Sequence, residues 1–143
     1  MKYIGLLASS ICVVVVLLIN SYYNIINLDI QKISSYVIEC NMILEDYILN
    51  EEKVLDNNEE YISRLLNLKN CIKDTKTSFF TAKYKNYKIK SIESLVNSIS
   101  EDENRSKHLD LVKKFNNLSK DELDSLLDKN LLQVTYLSTR AYE

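Results

Sequence analysis

The chain has 143 residues, one glycine, no proline and no tryptophan. Because tight hairpin turns depend on glycine, this composition disfavours folds with many strands and favours helices joined by Asn, Asp and Ser loops. The net charge of −2 gives no electrostatic basis for binding nucleic acid, and we expect no such partner.

The first predicted element is a membrane-spanning helix. Residues 4–19, IGLLASSICVVVVLLI, carry no charge, and 11 of these 16 residues are Ile, Leu or Val. Such residues favour insertion by roughly 0.3–0.6 kcal/mol each at a helix centre. Extension to Tyr3 and Tyr23 gives about 30 Å, enough to cross the hydrocarbon core with tyrosines at both interfaces. The predicted anchor residues are Ile4, Leu6, Leu7, Val13, Val14, Val15, Val16, Leu17, Leu18 and Ile19.

The flanks of this segment indicate that residues 1–23 form a retained signal anchor. Its short Met1–Lys2 start also fits a cleaved signal peptide, which would leave a secreted helical protein. However, Ile19-Asn20-Ser21 lacks the small residue that cleavage requires at −3. Positive charge precedes the anchor, and the next basic residue is Lys32, which predicts a cytoplasmic N-terminus and an extracytoplasmic domain over residues 24–143.

A helical seam continues without a break beyond the anchor. Its apolar residues recur at steps of 3 and 4, so one rod is predicted to reach about Asn50. We expect this seam to pack inside a bundle; a dedicated dimer zipper is the alternative. The seam consists of Tyr23, Ile26, Ile30, Ile33, Val37, Cys40, Leu44 and Tyr47.

The rod is predicted to turn back at Asp56-Asn57-Asn58. A second seam then runs through Tyr61, Leu65, Leu68 and Ile72 to a polar break over residues 74–78, where Ser78 is a candidate cap. The outgoing helix rises roughly 40 Å and the returning helix roughly 30 Å. The residues after the break should therefore return to within about 10 Å of the lipid headgroups.

Two cysteines test this antiparallel arrangement. The midpoint between Cys40 and Cys71 falls inside the predicted turn, so the two residues should lie at similar heights. A disulfide between them would close the intervening loop and stabilise the folded state by roughly 3–4 kcal/mol. Two buried free thiols are the alternative. Neither cysteine has a CxxC or Cys/His partner, so no metal is expected.

Two or three further helices complete the prediction. Ile89 to Ile99 mark a third helix that ends at an acidic loop, and Leu111 to Leu118 mark a short fourth helix. Ser119-Lys120-Asp121-Glu122 has the pattern of a capping box and predicts the start of a terminal helix. The expected fold class is therefore all-α: one transmembrane helix continuing into an extended helix, followed by a small antiparallel bundle of about four to five helices.

The stretch FFTAKYKNYKIK (residues 79–90) combines aromatic and basic side chains. We expect its aromatic stripe to pack in the bundle while the lysines extend into water. The functional alternative is contact with anionic headgroups or an envelope polyanion. The candidate contact residues are Lys83, Tyr84, Lys85, Tyr87, Lys88 and Lys90.

The sequence carries no recognisable catalytic motif. One glycine cannot form a phosphate-binding loop, no nucleophile elbow is present, and the single histidine, His108, lies among acidic residues typical of a solvated loop. We therefore expect a non-catalytic protein with no cofactor.

The expected function is a membrane-anchored helical interaction module at the envelope of a low-GC bacterium. Its partners would be lipid and either another membrane or envelope protein or a second copy. The alternative is a ligand-sensing or immunity-type extracytoplasmic helical domain, although no polar cluster on an apolar face is evident in the sequence.

Overall fold

The computed structural model describes the backbone of residues 2–101 and 103–140, and the side chains of 10–101, 103–130 and 133–137. Every regular element in these ranges is helical, as the sequence predicts. The elements are α1 (Lys2–Leu49), α2 (Glu51–Asp56), α3 (Asn58–Asp74), a 3-10 turn (Phe79–Thr81), α4 (Ala82–Ser100), α5 (Arg105–Leu127) and α6 (Leu131–Arg140).

The long rod is confirmed, because α1 continues for 48 residues to Leu49. At 1.5 Å per residue it is about 70 Å long, so it can cross a membrane and still extend well beyond it. The predicted seam faces the bundle: its members Ile33, Cys40 and Tyr47 are buried, and its members Val37 and Leu44 are half-buried.

The upper core lies between α1, α3, α4 and α5. Its centre includes Ile43, Leu65 and Ile72, which are almost completely shielded from water. The hydroxyl of Tyr47 crosses this core and donates a hydrogen bond to the Ser98 carbonyl at 3.0 Å. These contacts make α1 part of the bundle as well as the candidate anchor.

The predicted hairpin is also confirmed. α2 ends at Asp56, α3 begins at Asn58, and α3 ends at Asp74, as the polar break predicts. Ser78, however, makes no side-chain cap, because its hydroxyl donates instead to Asp29 of α1.

The predicted helix start at Ser119 is wrong. α5 runs through this residue, whose buried hydroxyl donates to the Asn116 carbonyl at 2.8 Å within the same helix. The chain breaks instead before α6, where Asn130 Oδ1 accepts from the Gln133 amide at 3.0 Å and Gln133 Oε1 accepts from the Asn130 amide at 3.2 Å. This reciprocal pair is a capping box at the start of α6, which the sequence analysis does not predict.

Candidate membrane anchor

The N-terminal part of α1 carries apolar side chains that the fold leaves uncovered. Val13, Val16 and Leu17 are 59%, 63% and 60% exposed. Among the described residues, α1 is the one helix long and apolar enough to cross a membrane. Only 11% of its most apolar window is buried, whereas the core helix of a soluble protein would be mostly buried. A contiguous apolar surface of this kind is typical of a membrane or protein contact.

The other predicted anchor residues follow the same pattern with two qualifications. Val14 is exposed, while Val15, Leu18 and Ile19 are half-buried because they lie on the side of α1 that faces α6. The side chains of Ile4, Leu6 and Leu7 lie outside the described residues. The backbone at these three positions belongs to α1.

The end of α5 and α6 contact the candidate anchor directly. The Tyr22 hydroxyl donates to the Leu126 carbonyl at 3.0 Å, and the Tyr23 hydroxyl donates to the Leu127 carbonyl at 3.2 Å. Val134 of α6 is buried together with Tyr22 in a second apolar cluster. We call this the lower cluster; its buried members are Tyr22, Ile26, Phe80, Leu126 and Val134. These bonds satisfy carbonyls at the C-terminus of α5, which have no partner inside that helix. Thus α6 begins at the level where the predicted anchor ends and packs beside it.

A buried carboxylate joins the returning chain to α1 just above this level. Asp29 is 2% exposed, and its Oδ2 accepts from the Ser78 amide at 2.8 Å, the Ser78 hydroxyl at 2.5 Å and the Thr81 hydroxyl at 2.9 Å. Its Oδ1 is 3.2 Å from Lys32 Nζ. Burial alone would raise the pKa of Asp29, but these hydrogen bonds outweigh it and lower that pKa.

One aromatic residue of the 79–90 stretch, Phe80, belongs to the lower cluster. Phe80 is buried, and its ring lies edge-on to that of Tyr22 with centroids 5.1 Å apart. Phe79 remains 52% exposed beside it. The stretch therefore returns to the outer end of the candidate anchor, as the hairpin geometry predicts.

The lysines of this stretch divide into two groups. Lys85 donates to the carbonyls of Lys73 and Thr75 at the end of α3, where a cation satisfies unpaired carbonyls and complements the helix dipole. Lys88 is half-buried and donates to Asn116 Oδ1 at 3.2 Å. Lys83 and Lys90 remain exposed. Contact with a polyanion stays a prediction, and these two are the residues most available for it; Tyr84 is buried and Tyr87 half-buried.

The surroundings of Lys88 form the polar cluster that the sequence did not reveal. Ser91 donates to the Asn116 side chain at 3.2 Å, and Cys40 of α1 lines the same small cavity of about 10 Å³. Burial lowers the pKa of Lys88, while burial and the charge of Glu39 raise the pKa of Cys40 to about 12. The cluster combines residues from α1, α4 and α5, so no local sequence pattern marks it.

Comparisons with known proteins identify no relative. No protein-family model, curated protein or solved structure matches this chain. Functional inference therefore depends on the chemistry of the chain's own surfaces.

The cysteines adopt different environments. Cys40 and Cys71 are both free thiols in the structure, with Cys40 buried and Cys71 half-buried. The Cys71 thiol points to Asn67 Oδ1 on its own helix at 3.9 Å, whereas Cys40 faces α4 and α5. The disulfide stays a prediction. In the part of the chain that the structure describes, no three His, Cys, Asp or Glu side chains are grouped as a metal site.

Proposed function

We propose that this protein is a single-pass membrane-anchored helical interaction module of the cell envelope, with its N-terminus in the cytoplasm and its bundle outside. The observation that carries the proposal is the uncovered apolar surface of α1 around Val13, Val16 and Leu17, on a helix that continues into the bundle core. Lipid would cover this surface, and burying it would favour insertion.

A non-catalytic role is the simplest function for the bundle. The cavity beside Lys88, at about 10 Å³, has room for no more than a water molecule, whereas small-molecule sites usually exceed about 300 Å³. Its size counts against this cavity as a ligand site. The proposed partners are lipid and a membrane or envelope protein, including a second copy of this chain, with neither nucleic acid nor a cofactor involved.

Membrane retention tests the proposal. A Val13→Lys, Leu17→Lys double variant places two charges in the span, each costing about 2.5–3.5 kcal/mol near a helix centre. We expect the unmodified protein to resist extraction from membranes with alkaline carbonate, and the double variant to be released. The matched control, Ile38→Lys with Met42→Lys, changes exposed residues of the same helix above the span and should remain in the membrane.

Two further measurements separate the proposal from its alternatives. A protein that alkaline carbonate extracts freely would show that α1 is a helix of a soluble assembly. A mature N-terminus near residue 21 would instead identify a secreted protein with a cleaved signal. Topology is tested by Asn104→Cys, which a membrane-impermeant thiol reagent should label in intact cells. Labelling only after lysis would reverse the proposed orientation.

A further inference from the structure

α1 carries a second stripe of side chains, on the face opposite the bundle. We define the outer stripe as seven residues above the candidate span, each of which is exposed. Its apolar members Leu28, Ile38, Met42 and Leu49 are between 54% and 71% exposed. The complete stripe is Leu28, Gln31, Ser35, Ile38, Met42, Glu45 and Leu49.

The spacing of the outer stripe is that of a coiled coil. Leu28, Ser35, Met42 and Leu49 recur every seven residues, and Gln31, Ile38 and Glu45 fall between them at the second core position of each heptad. A helix that packs only within its own bundle needs one apolar stripe, and the inner seam already supplies it. The outer stripe therefore indicates a second helical contact along about 30 Å of α1.

We propose that the outer stripe pairs with the same stripe of a second copy in a parallel two-stranded coil. This inference rests on the proposed function, because an anchor inserted in one direction holds two copies side by side with their helices parallel and at equal height. Each residue of the stripe then faces its own counterpart, which is the geometry of a two-fold symmetric interface. An unrelated partner would require a matching heptad pattern in phase with the membrane surface, whereas a second copy supplies it by construction.

The residues beside the stripe are compatible with this pairing. The first core position of each heptad is occupied by Leu28, Ser35 or Met42. In a parallel coil, the residue immediately before this position on one helix faces the residue five positions further along the other helix. These pairs are Asn27 with Lys32, Ser34 with Glu39, and Asn41 with Asp46. Each pair sets a neutral amide or hydroxyl opposite a charged group, so like charges do not meet. The charged groups keep the ion pairs that they form within their own chain.

The polar members of the outer stripe determine the register of the pairing and the level at which the pairing weakens. Gln31 can donate to and accept from the Gln31 of the second copy, which a shifted register would leave unpaired. Glu45 would face the other Glu45, and this repulsion weakens the coil at its distal end. The pairing is therefore strongest between Leu28 and Met42, near the membrane.

Oxidative cross-linking in native membranes tests the pairing. In a Cys12→Ser, Cys71→Ser background, which retains only the buried Cys40, Gln31→Cys places a thiol in the stripe without removing an apolar side chain. Asn86→Cys, exposed on α4, is the matched control. We expect a cross-linked dimer from Gln31→Cys and none from Asn86→Cys or from the background.

Two substitutions with opposite expected effects on cross-linking make the test more specific. Added to Gln31→Cys, Ile38→Asp should abolish the cross-linked band, while Glu45→Leu should increase it. A Gln31→Cys protein that stays in alkaline-extracted membranes without a dimer above the Asn86→Cys level would overturn the pairing and leave the proposed function intact. Release of the protein by alkaline carbonate would instead overturn the proposed function. Whether the protein is retained in the membrane or released from it, equal cross-linking of the Ile38→Asp and Glu45→Leu variants would also show that the outer stripe is not the contact.

Discussion

Asp29 is the residue that fixes how the bundle meets the candidate anchor. One carboxylate oxygen accepts three hydrogen bonds from Ser78 and Thr81, which tie the loop after α3 to α1. A buried carboxylate without such donors would be strongly unfavourable, so the carboxylate and its donors depend on each other. This mutual dependence makes the position sensitive to substitution.

We predict that Asp29→Ala lowers the free energy of unfolding by about 2–4 kcal/mol, because the buried Thr81 hydroxyl and the two half-buried donors of Ser78 lose this acceptor. Lys32→Ala, which removes only the half-exposed cation bound to the same carboxylate, should cost less than about 1 kcal/mol. Urea denaturation in detergent micelles, followed by circular dichroism, measures both changes. Equal effects of the two substitutions would show that the ion pair, and not the Ser78 and Thr81 network, provides the stabilisation.

The same residue gives the unfolding free energy a defined pH dependence. The pKa of Asp29 in the folded protein lies below its ordinary value of 3.8, so the unfolded chain takes up a proton first as pH falls. The stabilisation is complete above about pH 4 and is lost as pH falls through the lowered pKa. Asp46 adds to this acid sensitivity: hydrogen bonds from the Tyr61 hydroxyl, Asn50 and Lys53 lower its pKa to about 2.

At the scale of the element, the break between α5 and α6 gives the next prediction. Asn130→Ala should destabilise α6 by about 0.5–2 kcal/mol, because it removes the side chain that accepts from the Gln133 amide. Ser119→Ala should change the free energy of unfolding by less than about 0.5 kcal/mol, since Ser119 lies inside a continuous helix. Hydrogen exchange of the α6 amides measures the first effect directly.

The opposite result would contradict the observed helix boundaries. If Ser119→Ala accelerated exchange over residues 120–140 while Asn130→Ala did not, the helix start would lie at Ser119, where the sequence alone places it. Unchanged exchange in both variants would show that packing of Val134 on the lower cluster, and not the cap, holds α6 in place.

These two caps illustrate what the sequence could and could not predict. The seams of α1 and α3 can be predicted from the sequence because each helix buries one face whose apolar residues recur at helical spacing. Polar residues at 56–58 and 74–78 likewise predict the two turns. Ser119-Lys120-Asp121-Glu122 has the letters of a cap, but burial of Ser119 against its neighbours overrides that local preference. The bonds of Asp29 and Lys88 join distant segments, so their partners became apparent only in the folded chain.

At the scale of the whole molecule, the upper core of the bundle lies above the candidate anchor and extends away from it, whereas α6 lies beside the anchor. The edge-on contact of Phe80 with Tyr22 and the hydrogen bonds of Tyr22 and Tyr23 to the end of α5 all lie at one level of α1. The turn around Asn58 lies at the opposite end, beyond Leu49. The rise of α1 from Tyr22 to Leu49 separates these two levels by about 40 Å.

This separation can be measured with single tryptophans, because the chain has none of its own. Phe79→Trp replaces an exposed ring next to Phe80, and Asn58→Trp places the same reporter in the exposed distal turn. In vesicles containing brominated lipids, we expect strong fluorescence quenching of Trp introduced at 79, where indole rings favour the membrane interface, and little at 58. Equal quenching at both positions would show that the bundle lies flat on the membrane. Absence of quenching at 79, with the protein still membrane-bound, would place the outer boundary of the span closer to the N-terminus than Tyr22.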